Sequence, residues 1–230
     1  MGVGAAVVTG AADTSPTELP SGLPTVVLAS ASPARRAVLQ AAGIDPVVLV
    51  SGVDEDAVAS GLGDATPHEV VVALATAKAQ AVAAEFVDHY PDAVVIGCDS
   101  MLHLEGALLG KPHTPEEARR RWTAMAGRTG DLLTGHAVVR VIDGASAGTV
   151  AGVCGTAVRF GTPTPAELDA YISTGEPLAV AGAFTIDGLG GWFVDGVDGD
   201  PSSVVGISLP LTRRLLADHG LAVTDLWTRP

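Results

Sequence analysis

Apolar residues fall along this chain in two rhythms, short β-branched runs and longer stretches in which they return every three or four positions. Val26, Val27 and Leu28 make the first run. Val38, Leu39 and Ala42 follow at helical spacing, with Gly43 where a helix C-cap belongs, so the segment reads as strand, turn and helix. Pro46 to Val50 is a second strand. Between Pro67 and Phe86, Val70, Val71, Leu74, Ala77, Ala81 and Val82 form an apolar stripe that predicts a long helix. Val94-Val95-Ile96 reads as a strand ending on Gly97, with Asp99 at its tip. Met101–Leu104 and Ala107–Leu109 flank Glu105-Gly106 and predict a hairpin. Thr114-Pro115 and Thr164-Pro165 each open a helix with a cap and a proline in its first turn. The first runs to about Ala126, and the second ends by Gly175-Glu176-Pro177. Leu132–Val141 and Thr149–Phe160 are strands, a glycine-rich passage follows from Ala181 to Gly206, and Leu211–His219 is a closing helix. This alternation predicts an α/β fold.

Composition narrows the setting. A chain of 230 residues with 47% hydrophobic content can build one domain or one two-lobed domain. Its formal charge of −13 argues against a broad nucleic-acid footprint, so any phosphate site must be a local cluster of cations. The two cysteines, Cys98 and Cys154, form no metal-knuckle or disulfide spacing, which favours a reducing, cytoplasmic setting. No apolar run approaches the ~18 residues that span a bilayer. Residues 1–23 are expected to be a disordered extension and residues 24–230 a single domain.

Several residue groups carry chemistry. Ser32 can cap the first helix with Pro33 at its first position. The free N–H groups there suit an anion, and Arg35 adds a planar fork one turn in; an ordinary capped helix with its arginines in solvent reads equally well. Asp54-Glu55-Asp56 lies just beyond a strand and suits either a hard divalent cation or a solvated turn. Lys78, inside the long helix, reads by propensity as a surface lysine. Asp99 needs a cation, an N–H cluster or solvent beside it, or else turns the chain toward Gly106. Gly110-Lys111-Pro112 lets backbone approach a ligand beside Lys111, although such tripeptides occur in many loops. Arg119, Arg120 and Arg121 circle their helix and read as a solvated face. The late glycines lack the strand-then-helix frame of a dinucleotide fingerprint.

Leu28-Ala29-Ser30-Ala31-Ser32-Pro33-Ala34-Arg35 resembles the Leu-Ala-Ser-x-Ser-Pro-Arg-Arg opening of the Maf family of nucleoside triphosphate pyrophosphatases, with Arg35 on the family's second arginine. Further blocks are similar in the same order: Leu74-Ala75-Thr76-Ala77-Lys78-Ala79, Gly97-Cys98-Asp99-Ser100, Gly110-Lys111-Pro112 and Ala181-Gly182-Ala183-Phe184-Thr185-Ile186-Asp187-Gly188. The resemblance covers residues 25–217. It implies an α/β fold with a mixed twisted sheet flanked by helices, two lobes and a deep central cleft, commonly as a homodimer. It also implies hydrolysis of nucleoside triphosphates to monophosphate and pyrophosphate, in nucleotide-pool housekeeping. On this resemblance Ser30, Ser32 and Arg35 hold phosphate oxygens, and Lys78 and Lys111 face the phosphates. Glu55 and Asp99 hold Mg²⁺ or Mn²⁺, and Asp99 orients or deprotonates the attacking water. No nucleic acid or membrane partner is implied. A nucleotidyltransferase and a non-catalytic nucleotide sensor of growth or division are the rival readings.

Two departures stand out. Asp187 replaces the family's glutamine in a residue expected to face the base, and a carboxylate, which only accepts hydrogen bonds, would favour guanine-type edges. The alternative is that Asp187 turns away and bonds its own turn. Gly206-Ile207-Ser208-Leu209-Pro210 moves a family proline two positions on, which is expected only to reshape a loop.

Overall fold

The computed structural model describes residues 22–86 and 88–228, so the extension expected over residues 1–23 lies almost wholly outside the described residues. Strand β1 (Thr25–Leu28) leads into helix α1 (Pro33–Ala41), and β2 (Val47–Val48) into α2 (Glu55–Ser60) and α3 (Pro67–Phe86). Strand β3 (Ala93–Leu104) turns back as β4 (Ala107–Leu109), then come α4 (Pro115–Met125), β5 (Thr129–Ile142), β6 (Ala145–Phe160) and α5 (Pro165–Ser173). Three short 3₁₀ turns lead to β7 (Val194–Asp198), α6 (Pro201–Val205) and α7 (Leu209–Asp218). The strands form one mixed sheet in the order β2-β1-β3-β5-β6-β7, with β4 paired to the far end of β3. Strand β1 runs parallel to β2 and β3, and every other pairing is antiparallel.

The long strands β3, β5 and β6 run through two lobes. In the first, one sheet face packs on α3 through Val27, Ala79, Val82, Val95 and Val139. Its other face packs on α1 and α7 through Leu28, Leu39, Ile96, Val138 and Leu216. In the second lobe, Trp122 of α4 is fully buried among Leu102, Phe160, Tyr171 and Phe184. Its indole N–H donates to the Ala183 carbonyl at 2.7 Å, and its ring is in T-shaped contact with Phe160 and Tyr171.

Helix α3 lies unusually close to the sheet, and two glycines explain why. A Cβ on Gly97 of β3 would be driven into the Ala75 carbonyl oxygen, and one on Gly135 of β5 into that of Val71. Both clashes are with backbone, so neither can be relieved by a side-chain rotation.

Several expectations are corrected. Strand β3 does not end at Gly97 but continues to Leu104, so Asp99 sits in mid-strand; the glycine accommodates a helix and does not stop the strand. The acidic run after β2 is neither loop nor simple turn. Asp54 accepts the Ala57 N–H at 3.0 Å and caps α2, placing Glu55 and Asp56 in the first turn, where the helix dipole favours them. The closing helix starts at Leu209, because Ser208 caps it and Pro210 fits its first turn. Strand β7 and helix α6 arise inside the glycine-rich passage, where no apolar rhythm announces them. Among the described residues no helix is long and apolar enough to cross a membrane.

Candidate active site

The site lies in a gap along one edge of β3. Strand β1 covers that edge only as far as Ile96, opposite Leu28, and β4 begins to cover it again at Leu102, opposite Leu109. Among the described residues, 97–101 therefore have β5 on one side and no strand on the other. The chain leaving β1 delivers Ser30, Ser32 and the first turn of α1 to one end of this gap. The antiparallel run of β4 sends Gly110 and Lys111 back toward it from the other end.

On the α3 face of β3, alternation aligns Gly97, Asp99 and the cross-strand Gly135. The close approach of α3 lets Lys78 reach into this row. Its ammonium donates to Asp99 Oδ1 at 2.6 Å and lies 2.8 Å from Glu55 Oε1. Lys78 and Asp99 are both buried, which corrects the propensity reading of Lys78 as a surface lysine. Asp99 Oδ2 is also buried and has no hydrogen-bond partner among the described residues. A buried carboxylate oxygen left bare is costly unless a ligand supplies the missing partner. Burial would raise the Glu55 pKa, but the Lys78 hydrogen bond and charge, followed by the charges of Lys111 and Arg35, hold it below its ordinary value. The charge of Lys111, an exposed residue with Pro112 buried behind it, acts on Glu55 together with the charges of Lys78 and Arg35.

On the opposite face Arg35 works as a clasp. Its Nε–H donates to the Gly206 carbonyl at 2.8 Å, and the Nη1 group to Ser30 Oγ at 3.0 Å and the Cys98 carbonyl at 2.9 Å. The Nη2 group reaches Ser100 Oγ at 3.1 Å. The Cys98 carbonyl belongs to the strand edge that β1 leaves uncovered, so the guanidinium takes over a bond that a strand would have made. Ser32 Oγ caps α1 by accepting the Arg35 N–H at 3.4 Å, and the Ser32 N–H donates to Ser30 Oγ at 3.2 Å. Ser100 continues into Thr134, whose hydroxyl donates to the Ser203 carbonyl at 3.2 Å. Beside them buried His136 accepts the Ser208 N–H at Nε2, 2.7 Å away, which leaves Nδ1–H to donate to the Thr134 carbonyl. Burial pushes its pKa down to about 4.

Three residues outside the expected set brace the site. Arg121 is not part of a solvated face: it bonds Glu117 at 2.7 Å and also the Gly110 carbonyl, holding the loop that carries Lys111. Glu176 accepts from Thr185 Oγ1 at 2.5 Å and from the Leu189 and Gly190 N–H groups at 3.0 Å, and so fixes the turn that contains exposed Asp187. His136 ties β5 to the start of α7. A glutamate followed by proline just before a glycine-rich passage was the one available sign for Glu176. Among the described residues no group of three or more His, Cys, Asp or Glu side chains is placed to hold a metal. Two hard carboxylates, one with a bare buried oxygen, fit a Mg²⁺ or Mn²⁺ ion whose remaining ligands come from elsewhere.

Comparison with known proteins matches residues 25–219 to the family model described as Maf-like protein. A protein of Nocardia farcinica named nucleoside triphosphate pyrophosphatase is 63% identical over 207 residues, covering 90% of this chain and 98% of its own length. One of the same name from Saccharopolyspora erythraea is 63% identical over 205 residues, with 89% and 97% covered. Another, from a Mycobacterium species, is 59% identical over 206 residues, with 89% and 98% covered.

Proposed function

The chain belongs to the Maf-like protein family, and on that premise we propose that it hydrolyses nucleoside triphosphates to nucleoside monophosphate and pyrophosphate. The observation that carries the reading is the gap in β3: Glu55, Asp99, Lys78 and Arg35, from four separate elements, gather at the strand edge that β1 and β4 leave uncovered, and Lys111 adds its charge from the loop after β4.

A triphosphate needs its charge offset, a water positioned and the leaving pyrophosphate stabilised. Lys111 offers an exposed ammonium to the phosphates, and Arg35, Ser30 and Ser32 hold the start of α1 toward them. Glu55 and Asp99 would hold Mg²⁺ or Mn²⁺, which supplies Lewis-acid charge stabilisation when bound. Asp99 accepts the proton of the attacking water or orients it, and Lys78 takes up charge on the phosphates. Asp187 faces the base, with Glu176 holding its turn. As an acceptor it favours bases that present donors, guanine and methylated guanine above thymine and uracil.

Pyrophosphate release from a panel of nucleoside triphosphates with Mg²⁺ and no acceptor tests the reading. Turnover is expected with guanine-type triphosphates ahead of dTTP and UTP, and Asp187→Gln is expected to narrow or reverse that order. Pyrophosphate that appears only with a second substrate would indicate a transferase, and binding without turnover a sensor. A clear kcat/KM preference of the wild type for dTTP or UTP over every purine would remove Asp187 from base selection.

A further inference from the structure

Lys78 has a chemical environment that its role beside the phosphates does not explain. Its ammonium already sits between Glu55 and Asp99, 2.8 and 2.6 Å from their oxygens, and its side chain is 11% exposed. A divalent ion held by the same two carboxylates would have to share them with this ammonium. A dication placed there beside the ammonium would meet twice the repulsion of a pair of unit charges, in a setting with little solvent to screen it. The two cations therefore compete for one place. The bare Asp99 Oδ2 shows that Lys78 does not use the full capacity of the pair.

We infer that Lys78 is the resident cation of the Glu55–Asp99 pair in the nucleotide-free protein, that it excludes divalent metal, and that it yields its place only when the metal arrives on a triphosphate. The inference rests on the reading of this pair as the metal site. Lys78 hangs on a rigid helix by a flexible four-carbon stem, so its ammonium can swing while α3 stays fixed. Phosphate oxygens bound in the gap give it a new partner as it leaves the carboxylates, so no buried charge is left uncompensated at any stage. Free metal brings no such partner. Lys78 thus couples metal entry to nucleotide entry, and the bound pair is the complete charge set: two carboxylates on the metal, two lysines on the phosphates.

The chain contains two lysines in all, Lys78 and Lys111, so a lysine-selective ¹⁵N NMR experiment on the wild type reports two ε-ammonium groups, assigned with Lys111→Arg. Mg²⁺ alone is expected to leave the Lys78 signal in place, and Mg²⁺ with an α,β-methylene nucleoside triphosphate to shift it. In parallel, Lys78→Met without nucleotide should bind Mn²⁺ at least about tenfold more tightly than the wild type, because a competing charge is gone. The gain should vanish in Lys78→Met/Asp99→Asn. A saturable shift of the Lys78 signal by Mg²⁺ alone, or equal Mn²⁺ affinity in wild type and Lys78→Met with both abolished by Asp99→Asn, overturns the exclusion and leaves the metal site standing. If Lys78→Met gains no Mn²⁺ affinity and Mg²⁺ with the analogue leaves the Lys78 signal unmoved, the carboxylate pair is not the metal site and both readings fall. The wild-type titration decides the question by itself should Lys78→Met fail to fold.

Discussion

Two cations flank the central strand, and they are held in opposite ways. Lys78, on the α3 face, ends between two carboxylates and its charge is cancelled. Arg35, on the other face, ends on four neutral oxygens, those of Gly206, Cys98, Ser30 and Ser100, and among the described residues no carboxylate pairs with it. Its position is fixed while its charge stays unspent. The Lys78 side is thus a place where one cation can be exchanged for another, and the Arg35 side a rigid wall that keeps a standing positive field at the start of α1. Charge compensation, more than proximity to the gap, separates a movable group from a fixed one.

Removing the charge that defines the Lys78 side should have the largest effect. Asp99→Asn keeps the shape but removes the acceptor and metal-binding charge, and turnover should fall by ~10²–10⁴-fold with the fold retained. Activity above a tenth of wild type would take Asp99 out of that role.

Gly135→Ala asks whether the two sides depend on the same close packing. Its Cβ would push the Val71 carbonyl, lifting α3 and Lys78 from Asp99, and we expect a loss of about 3 kcal/mol in denaturant unfolding together with reduced activity. Unchanged stability would mean that α3 can slide without cost.

A pH experiment sharpens the contrast, because the wall of neutral acceptors requires His136 to stay uncharged. Its folded pKa is near 4 against an ordinary 6.5. Above pH 6.5 neither folded nor unfolded chain holds the extra proton and stability is complete. As pH falls below 6.5 the unfolded chain takes it up first, so stability declines until about pH 4. Between pH 7 and 5 the expected loss is about 2 kcal/mol, and it should be absent from a folded His136→Gln variant.

Arg35→Lys should give the smallest change. It keeps the charge but loses the fork, and is expected to lower stability by about 2 kcal/mol while leaving the nucleotide KM close to wild type. Intact stability with a large rise in KM would assign the fork to the ligand instead of to the wall.

The elements of this fold were legible where an apolar rhythm or a cap marked them: α1 and α3 fall where the rhythm puts them, α4 and α5 where the Thr-Pro caps open them, and β5 and β6 overlap the runs that predict them. Failures came where one residue type serves two ends. Gly97 looked like a strand terminus because glycine breaks strands, yet its purpose is visible only when α3 is seen above it. Asp54 looked like part of an acidic loop because nothing in α2 is buried to give it a rhythm. Lys78 and Lys111 were identified through a resemblance, not through their own spacing. That Lys78 is buried between carboxylates 21 and 23 positions away cannot be read from a linear chain, nor can the brace that Arg121 gives to Lys111.

The bond from Arg35 to Gly206 spans 171 positions of sequence. A chain growing from its amino end has made β1, α1 and the whole central strand before that carbonyl exists, so the Nε–H gains its partner later than the Nη groups gain Ser30, Cys98 and Ser100. A product that stops short of the Gly206 carbonyl lacks one of the four acceptors that seat Arg35, although Leu39 and the other three can still hold α1 on the sheet.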